Sequence, residues 1–355
     1  MGGAEHFAVN LCNQLQDQGH DVTLLVTNPV SKYGYFADYL SPQVKLISID
    51  RKSGPNIKLF KNIYKIIKKE NPDIVHTHLG AIVYNCIAPF KLKNCKFIHT
   101  IHNDAKKEAE TGGIISSIMR KFLFKFSKYI PVTISDESHL SFIKYYGKNK
   151  RETIIPNGVP EKEINIYKAP EILEAKQNNY LTLVNVARIM PQKNQILLAK
   201  VVNDLNRQGY KIKLFLIGNT ETEEGTYIKS QNYTNVILLG PKSNPQDYMA
   251  ASDAFILPSL YEGMPLTLIE CFASQGFPIC SAVGGINNMI KDKFNGLLIN
   301  DPSSETNIKE TILKFINMSP EERDLIKLNS KNSYKNYSMV KCSNNYCELY
   351  KINKL

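Results

Sequence analysis

Short apolar runs alternate with stretches of helical periodicity along most of this chain. The runs are about four to eight residues long, which is typical of strands buried on both faces. We predict strands at 21–26, 44–49, 74–78, 97–101, 130–134, 180–187, 212–217, 236–239, 254–257, 277–280 and 296–299. Intervening stretches such as 4–18 and 57–69 carry apolar residues at helical spacing. Strands that alternate with helices predict parallel sheets.

The alternation occurs in two series, and 355 residues are enough for two separate cores. We therefore predict two doubly wound α/β domains. The N-terminal domain is expected over residues 1–160 and the C-terminal domain over 179–336. A weakly patterned, Lys- and Glu-rich stretch over 161–178 is predicted to link them, and 337–355 is predicted to contain a final helix.

Composition narrows the class of protein. No apolar run reaches the ~18 residues that span a bilayer, and the seven cysteines form no C-x-x-C pair. We expect a cytoplasmic protein with free thiols. The formal net charge of +11 favours polyanionic partners such as phosphorylated small molecules or anionic lipid. No nucleic-acid-binding motif occurs, so nucleic acid is not an expected partner.

Candidate ligand-binding residues follow several predicted strands. Open parallel sheets bind ligands at the carboxyl ends of their strands. His78 and His102 occupy such positions in the first series, and Arg188, Gly218 and Glu262 occupy them in the second. Two domains with such edges predict a cleft between them.

The run from Glu262 to Glu270 begins where a strand ends and a new helix should start. Pro265 suits the first helical position, and Gly276 suits the helix end. Free N–H groups over 263–266 would form an anion site, whereas the two carboxylates would accept hydroxyl groups. An anion site between hydroxyl acceptors is typical of a sugar-nucleotide site; a helix junction with surface acids is the alternative.

Two further loops add weaker indications. Arg188 and Lys193 lie on one predicted strand-end loop, where two cations could clamp a diphosphate. A solvated pair of loop cations fits that spacing equally well. Gly2 and Gly3 open the first helix, where glycine lets the backbone approach a ligand closely.

In this order and spacing, the motifs resemble those of glycosyltransferase family 4, a retaining family with the two-domain GT-B fold. The most specific part is the Glu-x7-Glu pair of Glu262 and Glu270, supported by Pro-Asn-Gly at 156–158. The run at 260–266 is most similar to members that build bacterial surface polysaccharides. The resemblance covers nearly the whole chain. It implies transfer of a hexose from a nucleotide diphosphate sugar, expected to be UDP-linked, to a lipid-linked or polymeric surface glycan.

The resemblance also implies roles for individual residues. Glu262 with the backbone of Gly263 and Met264 would hold the hexose hydroxyls, and Glu270 would hold the ribose hydroxyls. The implied catalytic residues are Glu262, His102, Arg188 and Lys193. The implied donor-binding residues are Gly3, Arg188, Lys193, Gly218, Pro241, Lys242, Glu262, Gly263, Met264, Pro265, Leu266 and Glu270.

The family mechanism explains these assignments. Arg188 and Lys193 would neutralise the diphosphate leaving group as the glycosidic bond breaks, and His102 would contact the donor sugar near its reacting face. The backbone at Pro241–Lys242 would face the base. Retention in the family is assigned to front-face attack, in which the leaving phosphate takes the acceptor proton. No dedicated general base is therefore expected. No metal cofactor is expected either, because the sequence contains no Asp-x-Asp pair. The final helix is expected to cross back onto the N-terminal domain.

The chain departs from the family pattern at its start. Family members normally open with the central strand of the first sheet, whereas Met1 here directly precedes Gly2. We expect either a start further upstream or an N-terminal domain without its central strand. A catalytically silent partner, a glycan-binding subunit, and a GT-B transferase that uses a small acceptor are the alternative functions.

The segment 114–130 combines apolar and basic residues. Its apolar residues are Ile115, Ile118, Met119, Phe122, Phe126 and Tyr129, and its cations are Arg120, Lys121, Lys125 and Lys128. A basic amphipathic helix can lie on an anionic membrane, although most such helices pack by their apolar side. Together with a lipid-linked acceptor, it predicts a peripheral location on the inner face of the cytoplasmic membrane.

Overall fold

The chain forms two compact α/β units, and each is described by itself. One contains Met1–Pro160 with Ser338–Leu355, and the other contains Glu161–Tyr337. The strand pairs in both are parallel, so the predicted fold class is confirmed. Met1, with its place before the Gly-Gly turn, lies outside the described residues. The computed structural model describes residues 2–27, 39–49, 57–149 and 151–351.

The first unit contains both helices and short strands. Its described helices are α1 (Gly3–Asp17), α2 (Ile57–Glu70), α3 (Ala81–Tyr84), α4 (Ala88–Lys91), α5 (Ala105–Glu110), α6 (Gly113–Phe126), α7 (Asp136–Tyr146) and, at the C-terminal end of the chain, α16 (Met339–Tyr350). Its described strands are β1 (Thr23–Val26), β2 (Lys45–Ser48), β3 (Ile74–His78), β4 (Lys96–Ile101), β5 (Tyr129–Thr133) and β6 (Thr153–Ile154). Strands β1 to β5 each fall within a few residues of a predicted apolar run, whereas β6 was not predicted as a strand.

The second unit repeats the alternation. Its described helices are α8 (Pro170–Gln177), α9 (Gln195–Arg207), α10 (Glu223–Ser230), α11 (Pro245–Ala251), α12 (Leu266–Ala273), α13 (Ile286–Met289), α14 (Glu305–Ile316) and α15 (Pro320–Tyr334). Its described strands are β7 (Leu181–Val186), β8 (Ile212–Ile217), β9 (Val236–Gly240), β10 (Ala254–Leu257), β11 (Pro278–Ser281) and β12 (Leu297–Ile299). The segment expected to be a linker contains α8, whose Ile172 and Ala175 are buried within this unit.

The described strands of the first unit form two separate sheets. Strands β1 and β2 pair with each other, and β3, β4, β5 and β6 form a four-stranded sheet in chain order. Among the described strands, β1 and β3 are not hydrogen-bonded to each other. Helix α1 contacts both β1 and β3, and its buried residues Phe7, Leu11 and Leu15 recur every fourth position, on one face of the helix.

Helix α16 joins the first unit through a close backbone contact. Val159 bridges to Ser338, and the Met339 N–H donates to the Val159 carbonyl over 2.9 Å. A Cβ at Gly158 would lie 2.8 Å from Met339 Cα and 2.7 Å from Cys342 Cβ. Only glycine fits at this position, which gives the glycine of the Pro-Asn-Gly motif a packing role.

The second unit has one six-stranded sheet. Its strand order is β12-β11-β10-β7-β8-β9, so the chain starts at the centre, runs to one edge and returns to build the other half. The order therefore reverses between β7 and β10, which pair directly. In such sheets the loops that leave the two central strands diverge and open a crevice at their carboxyl ends. A ligand site is therefore expected in that crevice.

Candidate active site

The loop after β7 carries Arg188 and Lys193. Its backbone is held by the buried side chain of Gln195, whose Nε2 donates to the Arg188 carbonyl over 2.9 Å. Asn194 adopts the left-handed conformation with a φ of 60°, which asparagine tolerates better than most residues. The Arg188 side chain is exposed. It forms no ion pair with any residue in the part of the chain that the structure describes.

The loop after β10 brings Glu262 to Lys193. Lys193 Nζ lies 2.5 Å from Glu262 Oε1, and the side chains are only 14% and 7% exposed. Ser259 Oγ donates to the same carboxylate oxygen over 2.7 Å. Glu262 Oε1 thus has two donors, whereas no described residue donates to Oε2. The second oxygen is available to accept a ligand hydroxyl.

Backbone contacts fasten the two loops to each other. The Leu260 N–H donates to the Gln192 carbonyl over 2.8 Å, and Gln192 Nε2 donates to the Tyr261 carbonyl over 2.8 Å. The ion pair therefore closes a preformed frame across the crevice between β7 and β10. The sequence interpretation missed Gln192, Gln195 and Ser259, because single polar residues in loops carry no periodic signal.

Helix α12 begins at Leu266, four positions after Glu262. Pro265 is its N-cap, with φ of −71° and ψ of 120°, so the expectation of Pro265 at the first helical position is wrong by one residue. Proline has no N–H, so it fits a boundary where the donor is not needed. Among the described residues, the N–H groups of Gly263, Leu266 and Thr267 have no backbone acceptor, as is usual at a helix start. These donors belong to residues that closely follow Glu262 in the sequence.

The predicted helix end at Gly276 also differs by one position. Gln275 adopts the left-handed conformation with a φ of 56°, and the Gly276 N–H donates to the Cys271 carbonyl over 2.9 Å. This is a Schellman-type end with glutamine in place of the usual glycine. Gly276 is required for a different reason, since a Cβ there would lie 2.7 Å from Cys271 Sγ.

Glu270 lies on α12 and is 5% exposed. Burial raises the pKa of its carboxyl from 4.5 to about 7, and the nearby Lys162 ammonium limits the rise. No hydrogen-bond partner for this carboxyl occurs within residues 2–27, 39–49, 57–149 and 151–351. A buried carboxyl without a partner is unfavourable in the free protein, so a ligand hydroxyl that pairs with it would relieve this penalty.

Gly218 and Lys242 lie at neighbouring strand ends. A Cβ at Gly218 would lie 2.0 Å from the Ala187 carbonyl oxygen, and the Gly218 N–H donates to the Gly240 carbonyl over 3.1 Å. Glycine here allows the ends of β7, β8 and β9 to approach closely. Lys242 Nζ lies 3.0 Å from Glu171 Oε1 and packs over the Tyr248 ring. The preceding Pro241 is exposed, so the backbone of this loop is accessible.

The first unit carries the other predicted site residues. Gly3 is exposed at the start of α1. His102 follows β4 and is buried, and its Nε2 lies 3.0 Å from Nδ1 of His78, which ends β3. Burial lowers the pKa of His102 to about 4. Within the described residues, no group of three or more His, Cys, Asp or Glu side chains could hold a metal ion.

Two family models match the chain. "Glycosyltransferase Family 4" matches residues 1–163, and "Glycosyl transferases group 1" matches residues 171–332. The two matches meet near the boundary between the structural units and together cover most of the chain.

The chain belongs to glycosyltransferase family 4. It is a glycosyltransferase that uses a nucleotide sugar. The predicted family and the predicted enzyme class are confirmed.

Two curated relatives of this family 4 enzyme are named for transfer to a diphosphoundecaprenol-linked sugar and for capsular polysaccharide biosynthesis. The UDP-Gal:alpha-D-GlcNAc-diphosphoundecaprenol alpha-1,3-galactosyltransferase of Escherichia coli is 27% identical over 343 residues, which cover 90% of this chain and 87% of the relative. The capsular polysaccharide biosynthesis glycosyltransferase CapH of Staphylococcus aureus is 23% identical, with coverage of 75% and 76%.

Solved structures of similar fold support the GT-B assignment. HepE of Anabaena, solved in complex with UDP and glucose, has a TM-score of 0.81 at 17% identity, with 99% of this chain and 96% of that chain covered. A glycosyltransferase of Rickettsia africae has a TM-score of 0.77 at 20% identity, with coverage of 99% and 94%. At these identities the likeness shows the GT-B fold of the family 4 enzyme.

Proposed function

We propose that this family 4 enzyme transfers a hexosyl group from a UDP-linked sugar to a lipid-linked or polymeric surface glycan, with retention at the anomeric carbon. The Lys193–Glu262 pair carries the proposal, because it places a cation and a hydroxyl acceptor together in the crevice between β7 and β10. Support for the donor comes from HepE, which was solved with UDP and glucose. Support for the acceptor comes from the Escherichia coli relative, which is named for a diphosphoundecaprenol-linked sugar.

On the donor side, the proposed contacts follow from charge and hydrogen bonding. Lys193 and the exposed Arg188 bind the diphosphate. Glu262 Oε2 and the backbone of Gly263 and Met264 hold the hexose hydroxyls. Glu262 and Lys193 are fixed before the donor arrives, since Glu262 is anchored through Oε1 and Lys193 through Glu262. Preorganised groups of this kind stabilise developing charge without reorganisation during the reaction.

The nucleoside of the donor is proposed to bind to the second unit as well. Glu270 accepts the ribose hydroxyls, and its carboxyl gains partners that it lacks in the free protein. The backbone at Pro241 and Lys242 faces the base, while Gly218 keeps the strand ends close enough for the nucleotide to lie against the backbone. The N-terminus of α12 at Pro265 and Leu266 faces the phosphates.

The reaction follows from this arrangement. The bond between the anomeric carbon and the donor phosphate oxygen breaks, and negative charge develops on the leaving diphosphate, where Lys193 and Arg188 stabilise it. The acceptor hydroxyl forms the new bond on the same face of the sugar and passes its proton to the leaving phosphate. His102 contacts the donor sugar. Because two side-chain cations neutralise the diphosphate, the step is proposed to need no metal.

The acceptor is proposed to be reached at an anionic membrane surface. Helix α6 buries Arg120, Leu123 and Phe124 and presents the opposite face to solvent. We define the α6 apolar face as the exposed side chains Ile115, Ile118, Phe122 and Phe126, which are 72%, 62%, 51% and 59% exposed. Among the other apolar residues predicted on this segment, Met119 packs against the core and Tyr129 is buried in β5.

The cations near this face differ from those predicted. Lys121 and Lys125 are exposed beside the α6 apolar face. Arg120 is instead buried against Glu108, and Lys128 is partly buried and donates to the Leu92 carbonyl. The described helices include none that is both long and apolar enough to cross a bilayer. An exposed apolar face flanked by lysines suits a peripheral contact with anionic lipid on the inner face of the cytoplasmic membrane.

A donor screen tests the proposed function. Thermal unfolding would be followed with UDP, GDP and a panel of their sugars, because a ligand that binds only the folded state raises the unfolding temperature. We expect stabilisation by UDP and by at least one UDP-hexose. Incubation of that donor with lipid-linked and small acceptors, followed by analysis of the anomeric configuration, then tests transfer and retention. Binding without transfer to any acceptor would favour a silent partner, and stabilisation only by GDP sugars would contradict the assignment of the base.

A further inference from the structure

A buried ion pair lies behind the contact between His78 and His102. Arg120 Nη1 on α6 lies 2.9 Å from Glu108 Oε1 on α5, and the two side chains are 3% and 5% exposed. Buried ion pairs are often no more stabilising than apolar residues of similar size. Stability alone therefore does not explain why a charged pair is buried at this position.

Both partners bond to the strand-end loops that carry the histidines. The His102 N–H donates to Glu108 Oε2 over 2.8 Å. Arg120 Nη2 donates to the carbonyl of Leu79 over 2.9 Å, and Leu79 directly follows His78. Leu79 has a φ of 52°, a conformation that a leucine rarely adopts. One ion pair thus ties the loop after β3 to the loop after β4.

The histidine side chains meet just beyond these bonds. His78 Nδ1 and His102 Nε2 lie 3.0 Å apart, and the Phe7 ring packs edge-on against both imidazoles. Burial lowers the pKa of both histidines, so each is neutral near pH 7. In a neutral pair one ring nitrogen donates and the other accepts, and the bond therefore depends on the separation and angle of the two loops.

Glu108 stays ionised in this setting. Burial by itself would raise the pKa of its carboxyl, but His99, Arg120 and His102 lower the pKa to about 2. His99 Nε2 lies 3.7 Å from Glu108 Oε1, too far for a hydrogen bond. The short contacts of the carboxylate are those to Arg120 and to the His102 N–H, which are the contacts that bridge the loops.

We propose that Glu108 and Arg120 are positioning residues that hold the His78–His102 pair in the geometry required for sugar transfer. The inference rests on the proposed function for His102, through which both residues act. The ion pair is directional and charge-assisted, and the remaining polar atoms of its two partners bond to the two loops, so it restricts the loops more tightly than apolar packing of the same volume. Arg120 reaches the loops from the buried side of α6, and the α6 apolar face lies on the exposed side of the same helix.

Two variants and one control test the inference. Glu108→Gln keeps an acceptor for the His102 N–H but removes the charge. Glu108→Met with Arg120→Met removes both loop contacts without leaving an unpaired buried charge. Tyr129→Phe is the control, because it deletes the buried hydrogen bonds of the Tyr129 hydroxyl to Asn85 and Thr77 and leaves the bonds of Glu108 and Arg120 to the two loops in place. Each full-length variant is compared for unfolding temperature, kcat, Kd for UDP and the ring-nitrogen NMR signals of isotope-labelled histidine.

The double variant is expected to shift the His78 and His102 signals and to lower kcat by about 10- to 100-fold. Its Kd for UDP should stay at the wild-type value, because the proposed nucleotide contacts belong to the second unit. Tyr129→Phe is expected to lower the unfolding temperature but to leave kcat and the histidine signals unchanged. Glu108→Gln should fall between wild type and the double variant.

A folded double variant with wild-type kcat and wild-type histidine signals would overturn the inference. An equal loss of kcat in Tyr129→Phe would also overturn it, since the effect would then follow from lost stability. If the wild-type protein transfers no sugar at all, the proposed function fails, and the histidine signals still decide whether the ion pair positions the two rings.

Discussion

Lys193 Nζ and Glu262 Oε1 lie 2.5 Å apart, although 69 positions separate the two residues in the chain. Lys193 follows β7, and Glu262 follows β10. The pair therefore spans the one place in this sheet where the strand order reverses between neighbouring strands. Both side chains are nearly buried, so the pair is shielded from solvent more than a surface ion pair is, and its loss should be measurable.

Lys193→Met is expected to lower kcat by about 100-fold or more, because the cation that stabilises the leaving diphosphate is removed. Steady-state kinetics with the donor found in the screen would measure the change. Lys200→Met is the matched control, since Lys200 also forms a 2.6 Å ion pair, with Glu305, on the exposed surface of α9. The control should keep wild-type kcat. Equal kinetics for the two variants would contradict the role of Lys193.

Glu270→Gln is expected to change how stability depends on pH. The pKa of the folded carboxyl is about 7 against an ordinary value of 4.5, so between these values the folded state binds the proton more strongly than the unfolded state. The free energy of unfolding of the wild type should therefore fall as pH rises through this window, by up to about 3 kcal/mol. Glu270→Gln has no carboxyl to titrate at this position, so its free energy of unfolding does not show this fall. Relative to the wild type, the variant should therefore become more stable as pH rises from 4.5 to 7.

Urea unfolding at the two ends of that window measures the difference between the proteins. If the difference in free energy of unfolding between the two proteins does not change with pH, the pKa of the Glu270 carboxyl is not raised in the folded protein. In the same variant, Kd for UDP should rise at pH 8, because the carboxylate that accepts the ribose hydroxyls is absent.

Ile118→Ser with Phe122→Ser is expected to weaken binding to vesicles that contain anionic lipid, because two exposed side chains of the α6 apolar face become polar. Vesicle sedimentation measures the bound fraction. Leu325→Ser with Leu328→Ser is the control, since these leucines on α15 are also more than half exposed, at 58% and 51%. Equal sedimentation of both variants and the wild type would contradict the proposed membrane contact.

Lys121→Ser with Lys125→Ser tests the electrostatic part of the same contact. Each cation near an anionic surface contributes about 1 kcal/mol, so binding should weaken by about ten-fold or more and lose part of its salt dependence. Vesicles of neutral lipid serve as the control, on which the variant and the wild type should behave alike. A loss of binding to neutral vesicles would point to damage to the helix itself.

Gly158→Ala is expected to lower the free energy of unfolding by about 1–3 kcal/mol, because the added Cβ meets the backbone of α16. Gly80→Ala is the control, since no atom lies within 4 Å of a Cβ there and its φ is −69°. Chemical unfolding of the two variants measures the difference. Similar stability would show that α16 does not approach residue 158 as closely as the structure places it.

Much of the fold follows from the order of residues alone. Strand β10 is a continuous apolar run, and α1 repeats Phe7, Leu11 and Leu15 at helical spacing. These patterns depend on neighbours within a few positions, so burial of an element can be predicted without knowledge of its partners. The spacing of Glu262 and Glu270 is equally local, and the strand-to-helix junction that it predicts is present between β10 and α12. Pro265 and Gly276 were each misplaced by one position, since element boundaries depend on cap geometry.

Contacts between distant parts of the chain were decided only by the tertiary structure. The sequence placed Arg120 among the solvent-facing cations, but it is buried against Glu108 because α5 turns a carboxylate toward that face of α6. The α6 apolar face stays exposed for the complementary reason: no described element packs against it closely enough to bury its side chains. The sequence alone determined the α/β pattern and the family motifs, because these are local. Which cation meets which carboxylate depends on how strands are ordered and helices rotated, and only packing of the whole unit sets those.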